Sequence, residues 1–101
     1  MDVINAIAKV RFASARPQRV HLVRGATCVV ELICMEAGQA IQGIRGQWAY
    51  YVIMGNAAVR SGDETGELSA GQVAATDGAQ PHGLSNAGEG RLVCLAVGPP
   101  A

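Results

Sequence analysis

The sequence carries little of what catalytic chemistry draws on. It holds two histidines (His21 and His82), one lysine (Lys9), four aromatics (Phe12, Trp48, Tyr50 and Tyr51) and three cysteines (Cys28, Cys34 and Cys94). Charged residues make up 16% of the chain, and eight Lys+Arg balance eight Asp+Glu to a net charge of zero. A neutral chain without a Lys/Arg-rich run lacks the cationic surplus that binds phosphate backbones or anionic lipid, so no nucleic-acid or membrane partner is expected. The odd set of cysteines has no C-x-x-C spacing, so neither a disulfide framework nor a zinc knuckle is implied. Their neighbours are apolar, as in Leu32-Ile33-Cys34-Met35 and Leu92-Val93-Cys94-Leu95, so they read as small hydrophobes. No segment approaches the roughly 20 apolar residues of a membrane helix. The start, Met1-Asp2-Val3-Ile4, lacks the basic beginning and long apolar stretch of a secretory signal, and a cytoplasmic location is expected. Gly-x-Gly-x-x-Gly, P-loop and Gly-x-Ser-x-Gly motifs are absent.

What is present is apolar surface and glycine. Half of the residues are hydrophobic and thirteen are glycine, in 101 residues that suffice for one core. Short β-branched runs end at turn signals: Arg19–Val23 before Gly25, Cys28–Met35 before Gly38, Trp48–Met54 before Gly55-Asn56, and Ala57–Arg60 before Ser61-Gly62-Asp63. Gly66–Ser69, Gln72–Thr76 and Arg91–Val97 continue the series, while Val3–Val10 could form at most a helical turn. Seven or more strands at this spacing predict an all-β sandwich or barrel, and glycine supplies its sharp corners. The expected organisation is a single domain over 1–101, with 1–9 as an N-terminal arm and 98–101 as a Gly-Pro-Pro-Ala tail. A barrel of this size leaves room for side chains or one small ligand.

From about Val10 onward, about nine-tenths of the chain, the residues resemble a small single-domain cupin. The second cupin motif is a glycine, five residues, Pro-x-Gly, two residues, His, three residues and Asn. Gly71, His82 and Asn86 keep that spacing, with Asp77 at the proline position and Ala79 at the glycine position. The strand Trp48-Ala49-Tyr50-Tyr51-Val52-Ile53-Met54-Gly55 is similar to the closing half of the first motif, and Glu36-Ala37-Gly38 to its opening. The resemblance implies a cupin-like antiparallel β-barrel, or double-stranded β-helix jelly roll. In metal-binding cupins the first motif contributes His-x-His and a Glu, which join the second-motif His around the metal. Counting back from Gly55 puts the Glu position on Trp48 and the His positions on Gln42 and Ile44; counting forward from Gly38 puts the latter on Ile44 and Gly46. Under either count the ligands are missing, because 37–59 contains no His, Asp, Glu or Cys.

A first-row metal needs three or more N, O or S ligands, which His82 alone does not supply. Neither a metal nor another cofactor is therefore expected. Without one, His82, Gln42, Ile44, Trp48, Tyr50 and Met54 are the candidate lining of a ligand cavity, with alternation placing Tyr50, Val52 and Met54 on the Trp48 side. The same pattern also describes a packed core. His82 reads either as a ligand-orienting group or general base, or as a histidine held by a hydrogen bond at the barrel wall. His21 reads as a surface or half-buried histidine, and Asn86 as a turn residue serving Ala87-Gly88.

The leading expectation is a cupin-like barrel that binds a small molecule without a full metal site, with no assignable catalysis. The alternatives are a metal-dependent cupin enzyme (dioxygenase, isomerase or decarboxylase type) with relocated ligands around His82, and a structural or protein-interaction module. Small cupins of this kind commonly pair through sheet faces or exchanged N-terminal strands, so the resemblance also implies a homodimer.

Overall fold

Leu32-Ile33-Cys34-Met35 and Leu92-Val93-Cys94 are apolar at every position, and the tertiary structure explains why: they are strands covered on both faces. They belong to β2 (Val29–Met35) and β9 (Leu92–Gly98), which pair antiparallel in the middle of a larger sheet. The computed structural model describes residues 1–100. The remaining strands are β1 (Gln18–Arg24), β3 (Ala40–Ile44), β4 (Ala49–Met54), β5 (Asn56–Ser61), β6 (Glu64–Ser69), β7 (Val73–Ala75) and β8 (His82–Asn86). One sheet runs in the order β1-β2-β9-β4-β7 and the other in the order β3-β8-β5-β6, with antiparallel pairing throughout. The only helical element among the described residues is a 3-10 turn at Ile7–Lys9.

The two inner faces meet in one core. Ile33, Met35, Tyr50, Val52 and Cys94 come from the larger sheet, and Ile44, Ala57, Val59 and Leu84 from the smaller. On the outer face of the larger sheet, Leu32, Cys34 and Val93 form a second cluster, covered in part by Val10 and Phe12 of the N-terminal segment. That segment is held by the Arg91 guanidinium over the Phe12 ring at 4.4 Å and by Gln39, whose Nε2 donates to the Ala13 carbonyl at 2.7 Å. Gly55 turns β4 into β5 at φ +91° with its α carbon against the Arg91 carbonyl, a place where no Cβ fits.

The expected all-β barrel or jelly roll is observed, with two strands that the sequence pattern does not announce. Both β3 and β8 read poorly as strands because Gly43 and Gly83 interrupt them and His82, Ser85 and Asn86 make β8 polar. At the C-terminus the ladder includes Gly98, which pairs with Val29, so the tail begins at Pro99 rather than at residue 98. Cys28 also departs from its expectation: it precedes β2 and is exposed, whereas Cys34 and Cys94 are buried as small hydrophobes.

Candidate functional site

The approach to β4 sets the interior of the sandwich. Trp48, Tyr50 and Val52 alternate inward and are buried. The alternation then fails, because the register slips between Val52, opposite Cys94, and Met54, opposite Val93. Ile53 and Met54 consequently both turn to the outer face, and Met54 is 44% exposed. Met54 is thus placed away from the interior, contrary to the strict period of two.

Trp48 and Tyr50 stack at 6.2 Å with their planes 12° apart, and the Tyr50 ring meets the edge of His82 at 5.6 Å. Tyr50 Oη lies 2.6 Å from His82 Nε2. His82 is 2% exposed, and burial pushes its pKa below the ordinary imidazole value. Burial likewise pushes the Tyr50 phenol up, against an opposing pull from the Arg19 charge. Both groups are therefore neutral near pH 7. The phenol O–H donating to Nε2 satisfies both atoms and places the ring proton on Nδ1. Nδ1 is buried without a partner.

A second polar group lies toward the edge of the larger sheet. On β1, Val20 and Leu22 face the outer cluster while Arg19 and His21 face the other way, where His21 is directly opposite Glu31 of β2. Glu31 is 3% exposed. Its Oε1 accepts from Arg19 Nε at 2.9 Å and Nη2 at 2.7 Å, and its Oε2 lies 3.4 Å from His21 Nδ1. The Arg19 guanidinium sits 5.6 Å from the Trp48 ring centroid, within cation–π range. Arg19, Trp48, Tyr50 and His82 thus form a continuous column from the sheet edge into the core.

An open cleft of about 820 Å³ lies over the outer end of that column. Its walls include Arg19, His21, Glu31, Ile44 and Trp48, with Arg24 and Arg45 also facing it. The Trp48 indole N–H is not free for a ligand, since it donates to the Arg45 carbonyl at 3.0 Å. Trp48 is held from behind by Gly98, whose α carbon touches the indole so closely that a Cβ there would enter the ring.

Of the six residues expected to line a cavity, Ile44 and Trp48 do so. Tyr50 and His82 lie beneath the floor as packed core and are not part of this cleft's lining. Gln42 is exposed and lies against Gly83 on the outside of the small sheet, because the β3–β8 pairing slips between Ile41 and Ile44. Sequence reasoning missed Arg19, Glu31, Arg24 and Arg45. The available signal was the alternation in Arg19-Val20-His21-Leu22, which puts a basic pair on the face opposite two apolar residues. Asn86 serves the turn as expected, accepting from the Gly88 N–H at 3.0 Å and donating to the Gly90 carbonyl at 2.8 Å.

The residues around His82 do not fit a metal. Its Nε2 already bonds Tyr50, and no three His, Cys, Asp or Glu side chains gather anywhere among the described residues. Glu31 and His21 make a pair, and the third neighbour is a cation. No helix among the described residues is long and apolar enough to cross a membrane.

Two antiparallel sheets closing on one core, with a cleft at the mouth, define a small double-stranded β-helix protein. Residues 32–98 match the family described as Cupin domain (Cupin_2), about two-thirds of the sequence, and the chain belongs to that family. Its fold is similar to that of a Thermus thermophilus protein (TT1209), at 20% identity and TM-score 0.90 over 100% of both chains. An uncharacterized conserved protein with a double-stranded β-helix domain from Klebsiella pneumoniae is 25% identical, with TM-score 0.84 over 99% of this chain and 90% of that one. An RmlC-like cupin protein from Desulfovibrio desulfuricans is 22% identical, with TM-score 0.79 over 100% of this chain and 99% of the other. No curated protein matches the sequence.

Proposed function

We propose that this cupin-fold protein binds a small molecule in the cleft above Trp48, without metal chemistry. The observation that carries this reading is the Arg19–Glu31 pair, a buried carboxylate gripped at the cleft wall by a guanidinium that lies over the indole. An ion pair that takes a carboxylate out of water is a poor source of stability compared with apolar side chains of the same volume, so its place on a cleft wall favours recognition. The apolar faces of Val29, Ile44 and Trp48 and a few convergent polar groups match the usual make-up of a small-molecule site. Because Trp48 is the only tryptophan and lies in the cleft wall, its emission senses a ligand that binds there. Titrating a panel of metabolites against that emission is the test. A saturable change with at least one compound, lost in Trp48→Phe by an independent binding assay, supports the reading; silence across the panel overturns it.

A second reading, self-association, is favoured by the outer face of the larger sheet. Tyr51, Val73 and Val97 are exposed there, Val73 at 63%, and Met1, Val3 and Ile7 of the arm are exposed as well. Such a face suits an isologous homodimer. Light scattering at micromolar concentration is expected to give twice 10.4 kDa, and Tyr51→Glu to return the single-chain mass.

A further inference from the structure

Resting on the cleft reading above, the charge arrangement narrows the class of ligand. The whole chain is neutral, yet Arg19, Arg24 and Arg45 face this one cleft against a single carboxylate, Glu31. Those cations are not committed to protein partners. Arg24 and Arg45 side chains make no ion pair or hydrogen bond among the described residues, and Arg19 places only Nε and Nη2 on Glu31, leaving Nη1 without a protein acceptor. Glu31 and the Trp48 ring hold the Arg19 guanidinium in place, so its unused N–H groups are ordered before any ligand arrives. A second cleft, of about 430 Å³, is lined by Asp63, Glu64 and Asp77 and has the opposite sign, so an anion is drawn to the first and repelled from the second.

We infer that the cleft takes a small organic carboxylate, with its apolar part against Trp48 and Ile44 and its carboxylate toward Arg45, Arg24 and the free edge of Arg19. Carboxylate and guanidinium geometries match, and such bonds are the stronger, charge-assisted kind.

The test compares acids with uncharged amides of the same shape. Benzoate and phenylacetate are titrated against Trp48 emission beside benzamide and phenylacetamide, in the parent and in an Arg24→Gln/Arg45→Gln double variant. Neither arginine has a side-chain partner, so the double variant is expected to melt at the parent temperature. The acids should bind at least about tenfold tighter than the amides, and the double variant should lose most of that preference. Amides that bind as well as the acids, or acids unaffected by the double substitution, overturn the carboxylate class. Silence from all four probes also overturns it, whereas the cleft reading itself falls only if the wider metabolite panel is silent too.

Discussion

Tyr50 and His82, 32 positions apart in the chain, meet at 2.6 Å through Oη and Nε2 inside the sandwich, and this bond joins the two sheets. Tyr50 is on β4 of the larger sheet and His82 on β8 of the smaller one, opposite Ile44. The hydrogen bond crosses the largely apolar interior beside a second polar link, Asn86 Nδ2 donating to the Met35 carbonyl at 3.3 Å, and together they fix how the sheets face each other.

Tyr50→Phe removes the phenol and leaves both imidazole nitrogens of His82 buried without partners. The expected loss is about 1–3 kcal/mol of unfolding free energy, read by urea denaturation. His82→Leu in the Tyr50→Phe background should recover part of that loss, because a fully apolar pair leaves nothing unsatisfied. Additive losses in the double variant would show that the bond does not couple the two residues.

His82 also sets a limit on the acid side. Its folded-state pKa lies below the ordinary value, so the unfolded chain binds a proton that the folded chain refuses. Stability from this group is complete above about pH 6.5, the ordinary imidazole value, and falls as pH drops from there toward the folded-state pKa. On the alkaline side, burial and the neighbouring Cys34 push the Cys94 thiol up to about 12. Its contribution is present below the ordinary value of 9.0 and is lost as pH rises from there toward about 12. Urea midpoints measured from pH 5 to 10 should therefore show a plateau near pH 7–9, and His82→Leu should flatten its acid edge.

Arg19→Ala leaves Glu31 buried with only His21 beside it. Arg19 keeps a third of its side chain in solvent, so the expected loss is about 1–3 kcal/mol, below the full penalty of an uncompensated buried charge. Replacing the pair together, Arg19→Met with Glu31→Leu, should be nearly neutral in thermal melting. The same double replacement removes the ordered guanidinium but keeps Arg24 and Arg45, so it should weaken the preference for carboxylates without abolishing it, which separates a recognition role from a structural one.

The cysteines divide by burial. Cys34 and Cys94 sit on opposite faces of the larger sheet with raised pKa values, while Cys28 is exposed before β2. A thiol-reactive dye should label one cysteine per folded chain quickly, and Cys28→Ser should remove that phase. All three should react together in denaturant.

Much of the architecture was legible because strand periodicity and turn residues are local. Runs such as Cys28–Met35 and Arg91–Val97, closed by glycine, announce strands wherever they pack, and the spacing of Gly71, His82 and Asn86 resembles the cupin pattern across the same turn that Asn86 now serves. Polar strands such as β8 were not legible, since only the β3–β8–β5 ladder makes them strands. Misplacement of Met54 and Gln42 has one cause in common. Each lies where a pairing register slips, and a bulge reverses side-chain facing without changing local propensity.

By itself the sequence determined that the chain is an all-β cupin domain and that the segment 37–59 offers none of the family's histidine or glutamate metal ligands. Tertiary structure alone decided that Tyr50 meets His82 in packed core, and that Arg19, His21 and Glu31 gather with Arg24 and Arg45 around a cleft over Trp48. The reason is physical: composition and periodicity act on neighbours along the chain, whereas a cleft is made by residues whose proximity depends on strand order, register and the closure of two sheets.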